Sequence, residues 1–229
     1  MSEEILKFQY TFKFENGNSL EFDIKLDGTT LKLIQNSNPE KNDWALLENN
    51  QCDNCTLKSN EHPYCPIALN LLDILPKFNN VYSYENVYVL VKVKERTYSA
   101  KVSVQSGLGA MWGIYMVTSG CPIMSKLKPM VRFHLPFASV EETVFRSVST
   151  YLVGQYFMHH KKEKADWDLT GLKEIYKEIQ TVNFGMATRL RSVIQKDANI
   201  NALIVLDIFA KEMPQTIDES LKSLQYLFE

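Results

Sequence analysis

The chain has 229 residues, of which 45% are hydrophobic, enough for an ordinary buried core in one large domain or two small ones. Its 25 Lys and Arg residues against 27 Asp and Glu residues give a net charge of -2, which excludes a general electrostatic attraction to nucleic acid or an anionic membrane. Residues 1–6 lack the basic and apolar segments of a secretory signal, and no apolar stretch approaches the ~20 residues of a membrane span. We therefore expect a soluble cytoplasmic protein whose partners include neither nucleic acid nor a membrane.

The chain up to residue 135 has the alternating pattern of β-hairpins. Every second residue is apolar in 8–14 and 20–26, on either side of a turn at Gly17, and again in 87–93 and 98–104. Two hairpins of one antiparallel sheet are predicted. Apolar residues at helical spacing in 66–77 and 105–118 predict helices, and the second would cover the sheet. Close helix packing explains Gly107, Gly109 and Gly113 better than a nucleotide-binding loop does.

From residue 136 onward the apolar spacing is helical. Ser139 and Glu142 form a candidate capping box for a helix that ends near residue 160, and further helices are predicted at 170–195, 200–211 and 217–228. The predicted fold class is α+β. An antiparallel sheet of two hairpins, with covering helices and a metal-bound cysteine loop, forms a domain over 1–135, and an α-helical region over 136–229 packs on it as one compact unit.

Four cysteines are the most informative feature of the chain. Cys52 and Cys55 form a Cys-x2-Cys unit, and Cys65 follows after nine intervening residues. A Cys-x2-Cys turn can hold two thiolates on one tetrahedral ion, and in a reducing compartment metal ligation explains such a pattern better than disulfides do. His62 could complete a set of three cysteines and one histidine.

Cys121 is the alternative fourth ligand. It lies in a Cys-Pro-Ile segment that repeats the one at Cys65, and each proline would open a helix whose positive end favours an ionised sulfur. Zinc held by Cys52, Cys55, Cys65 and Cys121 is therefore the preferred prediction. Four thiolates would close the coordination sphere, so a structural role is favoured over catalysis.

Other chemistry stays open. An iron-sulfur cluster would also suit four cysteines, although the tight spacing of bacterial ferredoxins is missing. A thiol redox pair at Cys52 and Cys55 is the weaker idea, because no strand and helix flank it as in thioredoxin. His134 is interpreted as a satisfied, half-buried histidine rather than a catalytic base. Asp207 is interpreted as a hydrogen-bonding partner of the turn at 197–201, with the lining of a pocket as its alternative.

Several segments along the chain carry a family resemblance. They are Cys52-x2-Cys55, His62-Pro63-x-Cys65-Pro66, Thr118-Ser119-Gly120-Cys121-Pro122, Phe133-His134-Leu135-Pro136-Phe137-Ala138-Ser139, Gly154-Gln155-Tyr156-Phe157 and Asp197-Ala198-Asn199-x-Asn201-Ala202-Leu203. With them the chain resembles, over nearly its whole length, an uncharacterised bacterial family known only as a domain of unknown function. The resemblance implies a bacterial source and places the four cysteines in the family's pattern, which supports one shared site. It implies no activity.

Two functional hypotheses follow. The preferred one is a non-enzymatic interaction or regulatory module in which zinc ties the loop after the first hairpin to the second half of the sheet, and the helical region contacts a protein partner. The alternative is a redox or small-molecule enzyme that uses an iron-sulfur cluster or a pocket between the sheet and the helices, with His134 and Asp207.

Overall fold

The computed structural model describes residues 4–34, 42–192 and 197–229. Its sheet has four strands, β1 (Ile5–Phe14), β2 (Ser19–Asp27), β3 (Asn86–Lys92) and β4 (Thr97–Ser103), in the order β2-β1-β3-β4. Each neighbouring pair is antiparallel, and Tyr10 of β1 is paired with Phe22 of β2 and with Val91 of β3. The two predicted hairpins and their single sheet are confirmed.

One face of the sheet is buried because the apolar residues alternate. Phe8, Tyr10 and Phe12 of β1 are buried on this face. Alternate residues of β2 and β3 are buried in the same way. Gly17 has a φ of 87° in the turn between β1 and β2, a conformation that glycine adopts without strain. The buried face is covered by α2 (Val104–Val117), because Gly107 brings this helix close to Val89 and Phe12.

The second hairpin is shorter than the alternation predicts. The alternation predicts Val104 in the last strand, but Val104 is the first residue of α2, and the Ser103 hydroxyl accepts a hydrogen bond from the Ser106 amide at 3.4 Å. A serine in this position caps a helix by pairing an otherwise unpaired amide of the first turn. The chain therefore passes from strand to helix without a loop.

The helix predicted over 66–77 is also shorter. α1 spans Pro66–Leu71, and a 3-10 helix spans Leu75–Phe78. Pro76 explains the break, because a proline has no amide hydrogen to donate to the carbonyl four residues earlier and its ring crowds the preceding turn.

Three helices follow in the next segment. They are α3 (Lys128–Arg132), α4 (Val140–His160) and α5 (Thr170–Arg191). The capping box of α4 is confirmed, since the Ser139 hydroxyl accepts from the Glu142 amide at 3.1 Å and the Glu142 carboxylate accepts from the Ser139 amide at 2.7 Å. The predicted end of α5 at residue 195 lies outside the described residues.

The two C-terminal helices predicted from the sequence are one helix. α6 spans Ala198–Leu224 and continues through Pro214, and a 3-10 helix at Gln225–Phe228 follows it. Ala210, Met213 and Ile217 are buried at helical spacing on both sides of the proline. Their burial stabilises the continuous helix against the cost of an interior proline, which is about 3 kcal/mol.

The buried residues form one hydrophobic cluster that includes the inner face of the sheet and parts of α1, α2, α5 and α6. α6 contacts α2 on one side and α5 on the other. The structure therefore has the predicted α+β class with an α-helical C-terminal region. In the described ranges, no helix is both long and apolar enough to cross a membrane.

Candidate metal centre

The Cys52–Cys55 segment forms a tight turn that lies against α5. The Cys55 amide donates to the Cys52 carbonyl at 2.9 Å, and the Asn54 side-chain amide donates to the Glu178 carbonyl of α5 at 2.9 Å. Gly185 allows the close approach, since a Cβ at this position would lie 2.6 Å from Cys52 Sγ. The turn is thus positioned by a helix that begins more than a hundred residues later.

Arg189, also on α5, holds the chain that leads into this turn. Its side chain is buried, with 1% of its surface exposed. Its guanidinium donates to four backbone carbonyls, those of Trp44 at 2.6 Å, Leu46 at 2.5 Å, Leu47 at 3.2 Å and Asn50 at 3.4 Å. One cation therefore satisfies the carbonyls of a loop that forms no regular ladder with the sheet.

Cys65 and Cys121 reach the same region from other parts of the chain. Cys65 is buried at the N-cap of α1, where its amide donates to the Ala45 carbonyl at 2.8 Å. Cys121 follows α2, and the backbone amides of Ile123 and Met124 donate hydrogen bonds to its thiol. Cys65-Pro66 opens a helix as predicted, whereas Pro122 opens a turn that leads into a 3-10 helix at Met124–Leu127.

The four thiols lie within electrostatic range of one another. Burial and, to a smaller degree, repulsion from Cys65, Cys121 and Cys55 raise the pKa of Cys52 to about 12, although Arg189 opposes the shift. Burial also raises the pKa of Cys121, but the amides of Ile123 and Met124 oppose this effect by stabilising the thiolate. Both thiols are therefore protonated at neutral pH in the metal-free protein.

The donor atoms are neighbours rather than a preformed coordination sphere. Across the described residues, no three side chains of His, Cys, Asp or Glu are already arranged to hold a metal ion. Metal binding would require the thiols to move closer together. The set fits a soft metal chemically, because it offers four sulfurs, two backbone N–H···S bonds at Cys121 and a nearby guanidinium to offset the negative charge.

The two alternatives for a fourth ligand differ in their exposure to solvent. His62 is on the surface of the loop, and its amide donates to the Lys58 carbonyl at 2.8 Å. Cys121 is half-buried and interacts electrostatically with Cys52, Cys55 and Cys65. Cys121 therefore lies in the region of the other three cysteines, whereas His62 faces the solvent, and the identity of the fourth ligand stays a prediction.

The other candidates from the sequence lie elsewhere. His134 Nε2 is 2.6 Å from the Tyr10 hydroxyl, and burial lowers the histidine pKa to about 3, with a smaller effect from Arg146. The imidazole is therefore neutral and hydrogen-bonded. The turn at 197–201 is held by Asp197, which accepts from Ser83, and not by Asp207.

Asp207 is half-buried on α6, and burial raises its pKa. Its Oδ1 has no hydrogen-bond partner among the described residues. The interpretation of Asp207 as a hydrogen-bonding partner of the turn is therefore wrong, because Asp197 already supplies the carboxylate.

Gly185 and Arg189 are parts of this site that the sequence analysis missed. Arg189 carried a weak signal, since it falls three residues after Met186 on the apolar stripe of α5, where a charge is out of place. No sequence signal pointed to Gly185, because a glycine is required there only by the close contact with the Cys52 loop in the folded chain.

Comparison with known proteins gives the chain a family but no relative of known activity. No curated protein and no solved structure matches the chain. A family model described as "Domain of unknown function (DUF6901)" matches residues 8–229, which confirms the resemblance drawn from the sequence motifs. The chain belongs to the DUF6901 family.

Proposed function

We propose that this protein is a zinc-binding module in which Cys52, Cys55, Cys65 and Cys121 hold one structural Zn²⁺ and the protein acts through a partner rather than as an enzyme. The observation that carries the proposal is that four thiols from three separate segments of the chain lie within electrostatic range of one another. An ion bound to all four would join the loop at 52–65, the start of α1 and the end of α2. Four thiolates leave no open position for a reactive water, so the ion stabilises the fold.

The surroundings of the thiols support zinc. Sulfur ligands suit zinc, and a tetrahedral set of four thiolates carries an excess of negative charge that needs compensation. The amides of Ile123 and Met124 donate to Cys121, and Arg189 lies within electrostatic range of Cys52, Cys55 and Cys65. The cytoplasm is the proposed location, because free thiols persist in a reducing compartment.

The role of a partner is supported by exposed apolar residues on the helical region. Val153, Tyr156 and Phe157 of α4 are each more than half exposed, and Trp167 beyond the helix is 54% exposed. The rings of Tyr156 and Phe157 contact each other at a centroid distance of 5.6 Å, and exposed apolar side chains that group together mark interaction sites. A Tyr156→Ser and Phe157→Ser double variant should keep its zinc and its thermal stability but lose any self-association detected by analytical ultracentrifugation.

Metal content tests the proposal. Protein purified without oxygen and analysed by inductively coupled plasma mass spectrometry should contain one zinc per chain and be colourless. Cys121→Ser and Cys52→Ser should lose zinc to the same degree, whereas the exposed His62→Ala variant should keep it. Zinc retained in Cys121→Ser but lost in His62→Ala would contradict the all-cysteine site.

Colour separates this proposal from the iron-sulfur alternative. A brown protein with broad visible absorption that contains iron and sulfide instead of zinc would contradict the zinc proposal and indicate an iron-sulfur cluster.

A further inference from the structure

A cavity of about 470 Å³ lies between the sheet-covering helix α2, the segment 124–138 and the helices α4, α5 and α6. None of the four cysteines lines this cavity. Most of its wall is aliphatic or aromatic, and its polar side chains are few. Its size and composition are those of small-molecule sites, which are apolar with a few convergent polar groups.

The α2 wall of the cavity is kept open by Gly113. A Cβ at Gly109 would lie 3.3 Å from the Ala202 carbonyl oxygen, so Gly109 allows α2 and α6 to approach closely, as predicted. Gly113 differs, because a Cβ there would meet nothing within 4 Å. The prediction of close helix packing is therefore wrong for Gly113, which faces open space in the cavity.

Asn183 is an unpaired polar group in this cavity. Its side chain is 1% exposed, and neither its amide nitrogen nor its carbonyl oxygen has a hydrogen-bond partner among the described residues. An unpaired buried amide costs about 1–3 kcal/mol per group. A ligand that supplies a hydroxyl or a similar group would satisfy it.

Arg146 supplies a cation to the same cavity. Its Nη2 donates to the carbonyls of Met130 at 3.0 Å and Phe133 at 2.8 Å, and no carboxylate of the described residues lies within 4.0 Å of the guanidinium. Glu142, one turn earlier, attracts Arg146 from farther away, while its carboxylate caps α4. The guanidinium is therefore half-buried without a close counter-ion.

The positions of Arg146 and Asn183 in the cavity are separated along α5. Tyr176 lines the cavity beside Arg146, and Asn183 follows Tyr176 two helical turns later, a rise of about 10 Å. Between them on the same face lies Ile179, which is apolar. A ligand that reaches both points would have an anionic end, an apolar body and a second hydrogen-bonding group.

We propose that this cavity binds a small, elongated organic anion, with its carboxylate against Arg146, its apolar body along α2 and a hydrogen-bonding group at Asn183. The proposal does not depend on the metal centre. No chemical step is assigned to the site, because His134 at its edge is already hydrogen-bonded to Tyr10.

Isothermal titration calorimetry of the full chain with three eight-carbon probes tests the proposal. The probes are 8-hydroxyoctanoate, octanoate and 1-octanol, which differ at one end of the molecule at a time. In the wild-type protein 8-hydroxyoctanoate should bind about tenfold more tightly than octanoate, because its added hydroxyl pairs the Asn183 amide. Octanoate should bind about tenfold more tightly than 1-octanol, because its carboxylate carries the charge that pairs with Arg146 and a hydroxyl does not.

Substitutions assign each preference to one residue. Arg146→Met should remove the preference for octanoate over 1-octanol, and Asn183→Leu should remove the preference for 8-hydroxyoctanoate over octanoate. Gly113→Leu should fill the cavity and weaken all three probes at least tenfold. Gly154→Leu is the matched control, because Gly154 is also a helical glycine whose Cβ would meet nothing within 4 Å, but it faces solvent.

Several results would overturn the proposal. These are no detectable heat from any probe in the wild-type protein, equal affinity for octanoate and 1-octanol, or equal weakening by Gly113→Leu and Gly154→Leu. If Gly113→Leu does not fold, as judged by circular dichroism, the Arg146 and Asn183 variants still decide, because each must remove one preference and leave the other in place.

Discussion

Arg189→Met removes the cation that holds the loop before the cysteines, while it keeps a long apolar side chain on α5. In the wild-type protein the guanidinium donates to four carbonyls of the segment 44–50, two of them at 2.6 Å or less. Methionine offers no donor. The carbonyls that cannot turn toward water would stay buried and unpaired.

The expected loss follows from these contacts. A hydrogen bond from a charged donor contributes about 1.5–3 kcal/mol, so the two short bonds set the scale, and the two longer ones add little. The substitution also removes a buried charge, whose desolvation opposes folding. The net loss in the free energy of unfolding should be about 3–5 kcal/mol.

Urea denaturation followed by tryptophan fluorescence measures this loss. Arg191→Met is the control, since Arg191 lies in the same turn of α5 but is exposed, and its replacement should change the free energy of unfolding by less than about 0.5 kcal/mol. An Arg189→Met protein within about 1 kcal/mol of the wild type would refute the role assigned to this residue.

Three further substitutions, one of them a control, test other contacts of the fold. Gly185→Ala should displace Cys52, because the new Cβ would lie 2.6 Å from the Cys52 sulfur, and it should lower both zinc content and, by about 1–3 kcal/mol, stability. Gly154→Ala on the exposed face of α4 should stabilise slightly, and similar effects of the two alanines would count against the close contact. His134→Gln tests a pH effect. The pKa of His134 is lowered from 6.5 to about 3 in the folded protein, so the unfolded chain binds the proton first as the pH falls. The free energy of unfolding of the wild type should therefore fall by up to about 1.4 kcal/mol per pH unit below about pH 6.5. Above that pH the group has no effect, and equal slopes of urea midpoint between pH 7 and 5 in both proteins would disprove the assignment.

Local patterns predicted most of the secondary structure. The hairpins follow from alternate apolar residues, and the start of α4 follows from Ser139 and Glu142, because these features act within a few residues. The continuous helix through Pro214 could not be predicted in this way. Its stability depends on burial of Met213 and Ile217 against other helices, which the local sequence does not encode.

In the candidate sites, too, the features that depend on local sequence could be predicted and those that depend on the folded chain could not. The spacing of Cys52 and Cys55 and the repeated Cys-Pro-Ile at Cys121 predicted a shared site, and the four thiols lie within electrostatic range of one another, but metal binding by them stays a prediction. Arg189 and Asn183 were not predicted, because the roles of both depend on what faces α5 in the folded chain. Arg189 meets carbonyls more than 130 residues earlier, and Asn183 faces a cavity formed by helices from both halves of the chain.

X-ray absorption spectroscopy at the zinc edge of the purified protein tests the four-cysteine centre most directly. The centre predicts four sulfur neighbours at ~2.3 Å and no lighter ligand. A nitrogen neighbour at ~2.0–2.1 Å would contradict it and would bring His62 back as a ligand. Protein that contains no zinc, or contains iron in its place, would contradict the structural zinc centre altogether.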